Sequence, residues 1–178
     1  MNDIEPRHPS QASPFWTFSL GYYRMAAVQE ACLALQDGCG VDVNIMLFLL
    51  WTASQSRRLP PDQLAVLIDK VRLWQADVVA PIRSLRRRLK TNPPLLDQGS
   101  AELFRTKIKA IELESERLQQ EAMFTLAETL RAEPANSAEE AARANITAYQ
   151  ATIGRPFDAA AVDTLIDALR RRTSGETS

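Results

Sequence analysis

Two groups of polar residues in this chain have the types and spacing to do chemistry. The first is Gln36, Asp37, Asp42 and Asn44, which flank a single turn. Two carboxylates and two amides this close together could form a small acidic pocket, with Asp37 and Asp42 as acid–base or metal groups. The second is the basic run Arg83, Arg86, Arg87, Arg88 and Lys90, in which Arg83, Arg86 or Arg87, and Lys90 lie at three- and four-residue steps along one strip of a helix. Such a strip could hold an anion, a phosphate or a nucleic acid. Each group also has a plainer account. Polar residues at a turn cap helices and close turns, and arginine stems cover the edge of a core. The two groups could also be each other's partners, with Asp37 or Asp42 meeting Arg83 or Arg87 across a helix–helix contact, because the planar guanidinium fork suits a partly buried carboxylate. The candidate binding residues are therefore Asp37, Asp42, Asn44, Arg83, Arg86 and Arg87. No residue is assigned a catalytic or metal-ligating role, and no cofactor is expected.

Several chemistries are excluded by what the chain lacks. The only histidine is His8, in a largely polar stretch ahead of Ser13-Pro14. A histidine base or a Ser–His–Asp triad would have to recruit it from there. The two cysteines, Cys32 and Cys39, do not make a zinc site and read as buried thiols; a bridge between them requires the intervening helix to end early. The six glycines are scattered and form no phosphate-binding loop. Asp69 and Asp77 are not the clustered aspartates of an isoprenoid-type helical enzyme. The formal net charge of −1 gives no global attraction for nucleic acid or an anionic membrane, and the basic strip lacks the interleaved aromatics of single-strand binders. There is no leader-like segment at the start and no apolar run long enough to span a membrane, so a cytoplasmic location is expected.

The elements that must position these residues are helical. Seven consecutive apolar residues, Ile45 to Trp51, demand burial on every side, which makes residues 42–57 a buried central helix capped by Asp42. Before it, Ser13-Pro14 opens an aromatic-rich segment ending near Gly21, and a helix from Met25 to Asp37 stops at Gly38 and Gly40. After it, apolar residues from Leu64 to Leu89 step by one, three or four, predicting a long amphipathic helix with a kink at Pro81, or two helices with a joint there, and with Trp74 on the apolar stripe. Ser100 is expected to cap a second long helix reaching about Arg131, with Phe104, Ile108, Ile111, Leu118, Ala122 and Leu126 inward and charges of both signs outward. Glu133-Pro134 reads as a hinge. Ser137 and Glu140 form a capping box for a helix ending at Gly154, and Asp158 caps a last helix carrying Val162, Leu165, Ile166 and Leu169. Asn145-Ile146-Thr147 matches a glycosylation pattern but lies mid-helix and carries no weight. No stretch alternates with period two, so no strand is expected. The fold class is all-α: a compact helical bundle around residues 42–57. Its domain organisation reads as a disordered tail over 1–13, a helical core over 14–131, a C-terminal helical pair over 132–172, packed on the core or semi-independent, and a disordered tail over 173–178.

Three strings carry a family resemblance: Phe15-Trp16-x-Phe18-Ser19-Leu20, Ala31-Cys32-Leu33-x-Leu35-Gln36-Asp37, and Gly40-x-Asp42-Val43-Asn44 running into Leu47-Phe48 and Trp51. With Trp74, Val78, Pro81, Arg83, Arg86, Arg87, Leu89 and Lys90, they resemble an uncharacterised family of small proteobacterial proteins catalogued as a domain of unknown function, over roughly residues 15 to 125. The resemblance implies a bacterial, cytosolic protein and brings no activity, cofactor or partner. The preferred functional reading is a non-catalytic interaction or assembly module, acting on a protein partner or as a homo-oligomer through a hairpin of the two long helices. The alternative is a small-molecule or anion binder, or an enzyme, using Asp37 and Asp42 with Arg83 and Arg87. A second alternative is weak nucleic-acid binding through the basic strip.

Overall fold

The computed structural model describes residues 12–91 and 95–175; His8 and the Asn92-Pro93-Pro94 break lie outside them, as do residues 1–11 and 176–178 of the two expected tails, whereas Thr173 belongs to the last helix. Its helices are α1 (Pro14–Tyr23), α2 (Ala26–Cys39), α3 (Val43–Ser54), α4 (Pro61–Trp74), a π-helical turn (Gln75–Val79), α5 (Ala80–Thr91), α6 (Gln98–Ala127), α7 (Ala138–Ile153) and α8 (Ala159–Thr173). The fold is an all-α bundle. One two-residue pairing departs from the strand-free expectation: β1 (Arg57–Arg58) lies antiparallel to β2 (Glu133–Pro134), so the expected hinge at Glu133-Pro134 is tied down.

Helix α3 is buried on all sides, from Ile45 through Leu50 and again at Ala53. Asp42 caps it, its Oδ1 accepting from the Asn44 N–H at 2.8 Å and the Ile45 N–H at 3.4 Å. Phe15 meets the Phe48 ring edge-on at 5.3 Å and Trp51 at 5.5 Å, and Trp51 in turn meets Phe124 at 5.6 Å, so α1, α3 and α6 share one aromatic cluster. Helix α7 packs along α3, and α8 packs along α2 and α7. Ala141, Ile146, Leu165 and Leu169 belong to the same apolar cluster as Leu49 and Leu50. A fully buried Asn145 on α7 fastens this arrangement. Its Oδ1 accepts from the Leu59 N–H at 2.7 Å, and its Nδ2 donates to the Leu49 carbonyl at 3.1 Å and the Arg57 carbonyl at 3.4 Å.

Several boundaries move for physical reasons. Gly21 does not end α1. It lies inside the helix, where a Cβ would sit 3.0 Å from the Arg172 guanidinium, which rests 5.1 Å over the Phe18 ring. Ser13 belongs to the fold, not to a tail: it caps α1 and its N–H donates to Glu121 Oε1 at 3.1 Å. Gly38 stays helical, and Gly40, at φ 76°, takes the left-handed cap alone. Because α2 runs unbroken through both cysteines, they lie two turns apart and cannot bridge; both are free. Asp97, not Ser100, caps α6, and that helix ends at Ala127. Half of the capping box forms: Ser137 accepts the Glu140 N–H, whereas the Glu140 carboxylate reaches back to Asn136. A π-helical turn, Gln75–Val79, stands just ahead of Pro81 and joins α4 to α5 where the kink or joint is expected.

The largest departure concerns α6. Phe104, Ile111 and Leu118, expected inside, are 44%, 53% and 44% exposed, while Glu112, Ser115, Gln119 and Gln120 are buried. Trp74, expected in the core, is partly exposed and lies across α6, its Nε1 donating to the Ser115 carbonyl at 3.0 Å.

Candidate functional site

The polar face of α6 becomes intelligible from what it meets. A cleft of about 950 Å³ opens between α1, the α2–α3 turn, α5 and α6. Gln36, Asp37, Asp42, Asn44, Arg83, Arg86 and Arg87 all line it, so residues from two distant stretches of sequence share one cavity. Trp16, Leu20, Leu33, Leu47 and Leu113 supply apolar wall.

The pairing within the cleft differs from the expected one. Arg83 donates to Glu112 Oε1 at 2.9 Å and also bonds Glu116; Arg86 bonds both oxygens of Glu112. Arg83 and Arg86 are therefore satisfied by two glutamates of α6, not by Asp42. Of the proposed Asp–Arg contacts, the one formed joins Arg87 and Asp37 at 3.5 Å, with both side chains more than half exposed at the rim. Such a pair contributes little to stability. Asp42 is engaged elsewhere. Beyond its capping bonds it accepts from Gln119 Nε2 at 3.2 Å. Gln119 Oε1 accepts from Asn44 Nδ2 at 3.3 Å, and Asn44 Oδ1 accepts from Gln120 Nε2 at 2.7 Å. This chain of amides ends at Gln120 Oε1, which is buried and has no hydrogen-bond partner among the described residues; neither does the buried Ser19 Oγ. Both residues line the cleft.

Electrostatics divide the carboxylates. Burial alone would raise Glu112, but the hydrogen bonds and charges of Arg86 and Arg83 outweigh it and hold its carboxyl below the usual range. Burial raises Glu116 despite Arg83, with Glu112 and Asp42 adding to the rise. Burial likewise raises Asp42 against the donors from Gln119 and the helix N-terminus. A glutamate that holds its proton more tightly folded than unfolded stabilises the fold below the unfolded glutamate range, and that contribution is lost as pH rises through the folded value. Glu116→Gln should therefore gain on the parent protein as pH rises above about 4. Urea midpoints of the two proteins should diverge between acid and neutral pH in favour of the variant. Parallel curves would rule this out.

Other chemistry is constrained by the same surroundings. Burial pushes the Cys32 thiol up to about 12, which leaves it no thiolate to attack with at neutral pH. Among the described residues no cluster of histidine, cysteine and carboxylate side chains could hold a metal ion. The rim is richer in positive charge. Arg24, Lys90 and Lys109 line the cleft and make no salt bridge among the described residues. The lining as a whole carries six cationic side chains (Arg24, Arg83, Arg86, Arg87, Lys90, Lys109) against four carboxylates (Asp37, Asp42, Glu112, Glu116). Glu112, Glu116, Gln119 and Gln120 escaped the sequence reading because charges and amides on a long helix look solvated. The usable signal was the four-residue step from Glu112 to Glu116, which matches the three-residue step from Arg83 to Arg86 on a facing helix.

A second surface adjoins the cleft and shares Leu113 with it. Nine of the twelve large apolar side chains exposed among the described residues fall between Leu73 and Leu118, on the hairpin of α4–α5 against α6. No described helix is long and apolar enough to cross a membrane. A family model for a protein of unknown function, DUF2390, matches residues 14–123, which span α1 through most of α6 and hence the whole lining of the cleft. No curated protein and no solved structure matches the chain.

Proposed function

The chain belongs to the DUF2390 family of proteins of unknown function, and with no activity to inherit from it we propose that the cleft binds an organic anion without catalysis. The observation that carries this reading is the excess of cationic over anionic side chains in one partly apolar cavity. Arg83 and Arg86 are already neutralised by Glu112 and Glu116, so the ligand's charge would be met by Lys90, Lys109 and Arg24 at the rim. Trp16 and the leucines would cover its apolar body, and Gln120 Oε1 with Ser19 Oγ offers hydrogen bonds to a donor at its inner end. Pockets of this size with few polar anchors suit small molecules. Carboxylates and phosphate esters with an aromatic or aliphatic body share this chemistry.

Thermal-shift and calorimetric titration against panels of both ligand types test the reading. A ligand that raises Tm should bind at least about tenfold more weakly to the Lys90→Glu/Lys109→Glu variant, and more weakly at high salt. If no anion of either class shifts Tm at about 10 mM, the reading fails.

A second reading, assembly through the α4–α6 hairpin, is supported by the exposed apolar surface there. Apolar side chains gathered on one part of a surface mark interaction sites more often than singly scattered ones do. Nucleic-acid binding loses its main support, because three of the five basic residues in the strip, Arg83, Arg86 and Arg87, are engaged by carboxylates.

A further inference from the structure

Phe104, Ile111 and Leu118 recur every seven residues on α6, with Lys107 and Glu114 between them at three- and four-residue steps. These five residues form one straight strip, the spacing by which a helix presents a seam to another helix. The apolar members are about half exposed, so the seam is uncovered within one chain. Its order has a symmetry. The apolar residues are mirrored about Ile111, whereas the charges are of opposite sign on its two sides. We infer that a second copy of this chain covers the seam, with the two α6 helices antiparallel about a two-fold axis through Ile111.

The charge pattern selects both the occupant and the direction. Under that axis Phe104 of each copy faces Leu118 of the other, Ile111 faces its own counterpart, and Lys107 lies beside Glu114 of the other copy, twice. A self-complementary patch is what a two-fold dimer requires. In a parallel pair Lys107 would face Lys107 and Glu114 would face Glu114, which is repulsive. Among the described residues Lys107 makes no ion pair, and Glu114 has only the exposed Arg117 contact at 2.7 Å. The inference rests on the assembly reading and not on ligand binding in the cleft.

Sedimentation velocity and light scattering across a concentration series, on the full chain, test it. A monomer–dimer equilibrium is expected. Lys107→Glu should weaken it at least about tenfold, and Lys107→Glu with Glu114→Lys should restore it, because the swapped pair is again complementary. Leu118→Asp, on the surface of the fold, should leave a folded monomer by circular dichroism. A protein that stays monomeric at about 1 mM, beyond the weak end of specific association, overturns the dimer. So does a dimer indifferent to Lys107→Glu. A monomer that captures a different protein through the Leu118 surface would overturn the dimer and leave the assembly reading standing.

Discussion

Glu112→Gln is expected to lower the stability of the protein by about 3 kcal/mol, seen as a fall in Tm of about 6–10 °C for a chain of this size. Glu112 receives both Arg83 and Arg86, and its side chain is 7% exposed, against 19% and 24% for the two arginines. Its loss leaves Arg86 with no carboxylate among the described residues and Arg83 with Glu116 alone. Breaking a buried pair from one side costs about 3–5 kcal/mol because a desolvated charge is orphaned; partial exposure of both arginines puts the value at the lower end. If the orphaned charge is the cause, Glu112→Gln with Arg86→Leu should recover at least half of the loss. The pH dependence follows from the lowered carboxyl. Glu112 stabilises the fold above the unfolded glutamate range and that contribution is lost as pH falls through its folded value, so the variant should show a flatter acid limb. Urea unfolding followed by circular dichroism measures both; a deficit under about 1 kcal/mol at neutral pH would mean that the network contributes as little as an exposed pair.

Asn145→Ala should cost about 3 kcal/mol for a different reason. The wild-type amide is fully buried and serves three backbone groups in two segments: the middle of α3 and the stretch leading to α4. Truncation strands the Leu59 N–H, at about 1–3 kcal/mol, and opens a small void. Asn145→Asp keeps the shape but replaces two donated hydrogen bonds with a buried negative charge against the Leu49 and Arg57 carbonyls, so it should be at least as damaging. An alanine variant as stable as the parent would show that the amide is dispensable. Its burial also removes the Asn145-Ile146-Thr147 sequence from consideration as a glycan acceptor in the folded protein.

The part of this fold legible in the sequence was local. Asp42, Asp158 and Ser13 cap the helices they precede, and Gly40 and Gly154 end theirs in the left-handed conformation, because each effect is confined to one turn. The all-apolar run at Ile45–Trp51 could only be a buried helix. What could not be read was which neighbour each face of α6 would meet. Phe104, Ile111 and Leu118 have the spacing of a core stripe, but the core around α3 is filled by α1, α2, α4, α7 and α8, and α6 reaches it through its last turns at Met123 and Phe124. The inner face went to Glu112, Gln119 and Gln120, whose partners Arg83, Arg86, Asp42 and Asn44 are tens of residues away in sequence. The cleft residues could be named one by one, yet the carboxylates that complete their bonding lie on an element whose charges look ordinary.

The π turn at Gln75–Val79 bears on this directly. Closing one turn with an i→i+5 bond places one more residue in the helix than an α-helical path would need. Everything after it lags in angle by about 100°, one residue's share of a 3.6-residue turn. Arg83 and Arg86 thus stand where Ile82 and Leu85 would have pointed had the stripe of Leu64, Leu67 and Val71 continued unbroken. The apolar frame of α4 is handed over to a cationic frame in α5 along the same line of the molecule, and a single surplus residue makes the change. A one-residue deletion anywhere between Gln75 and Val79 would be a frameshift in space: it would leave every side chain of α5 chemically intact and turn its arginines away from Glu112.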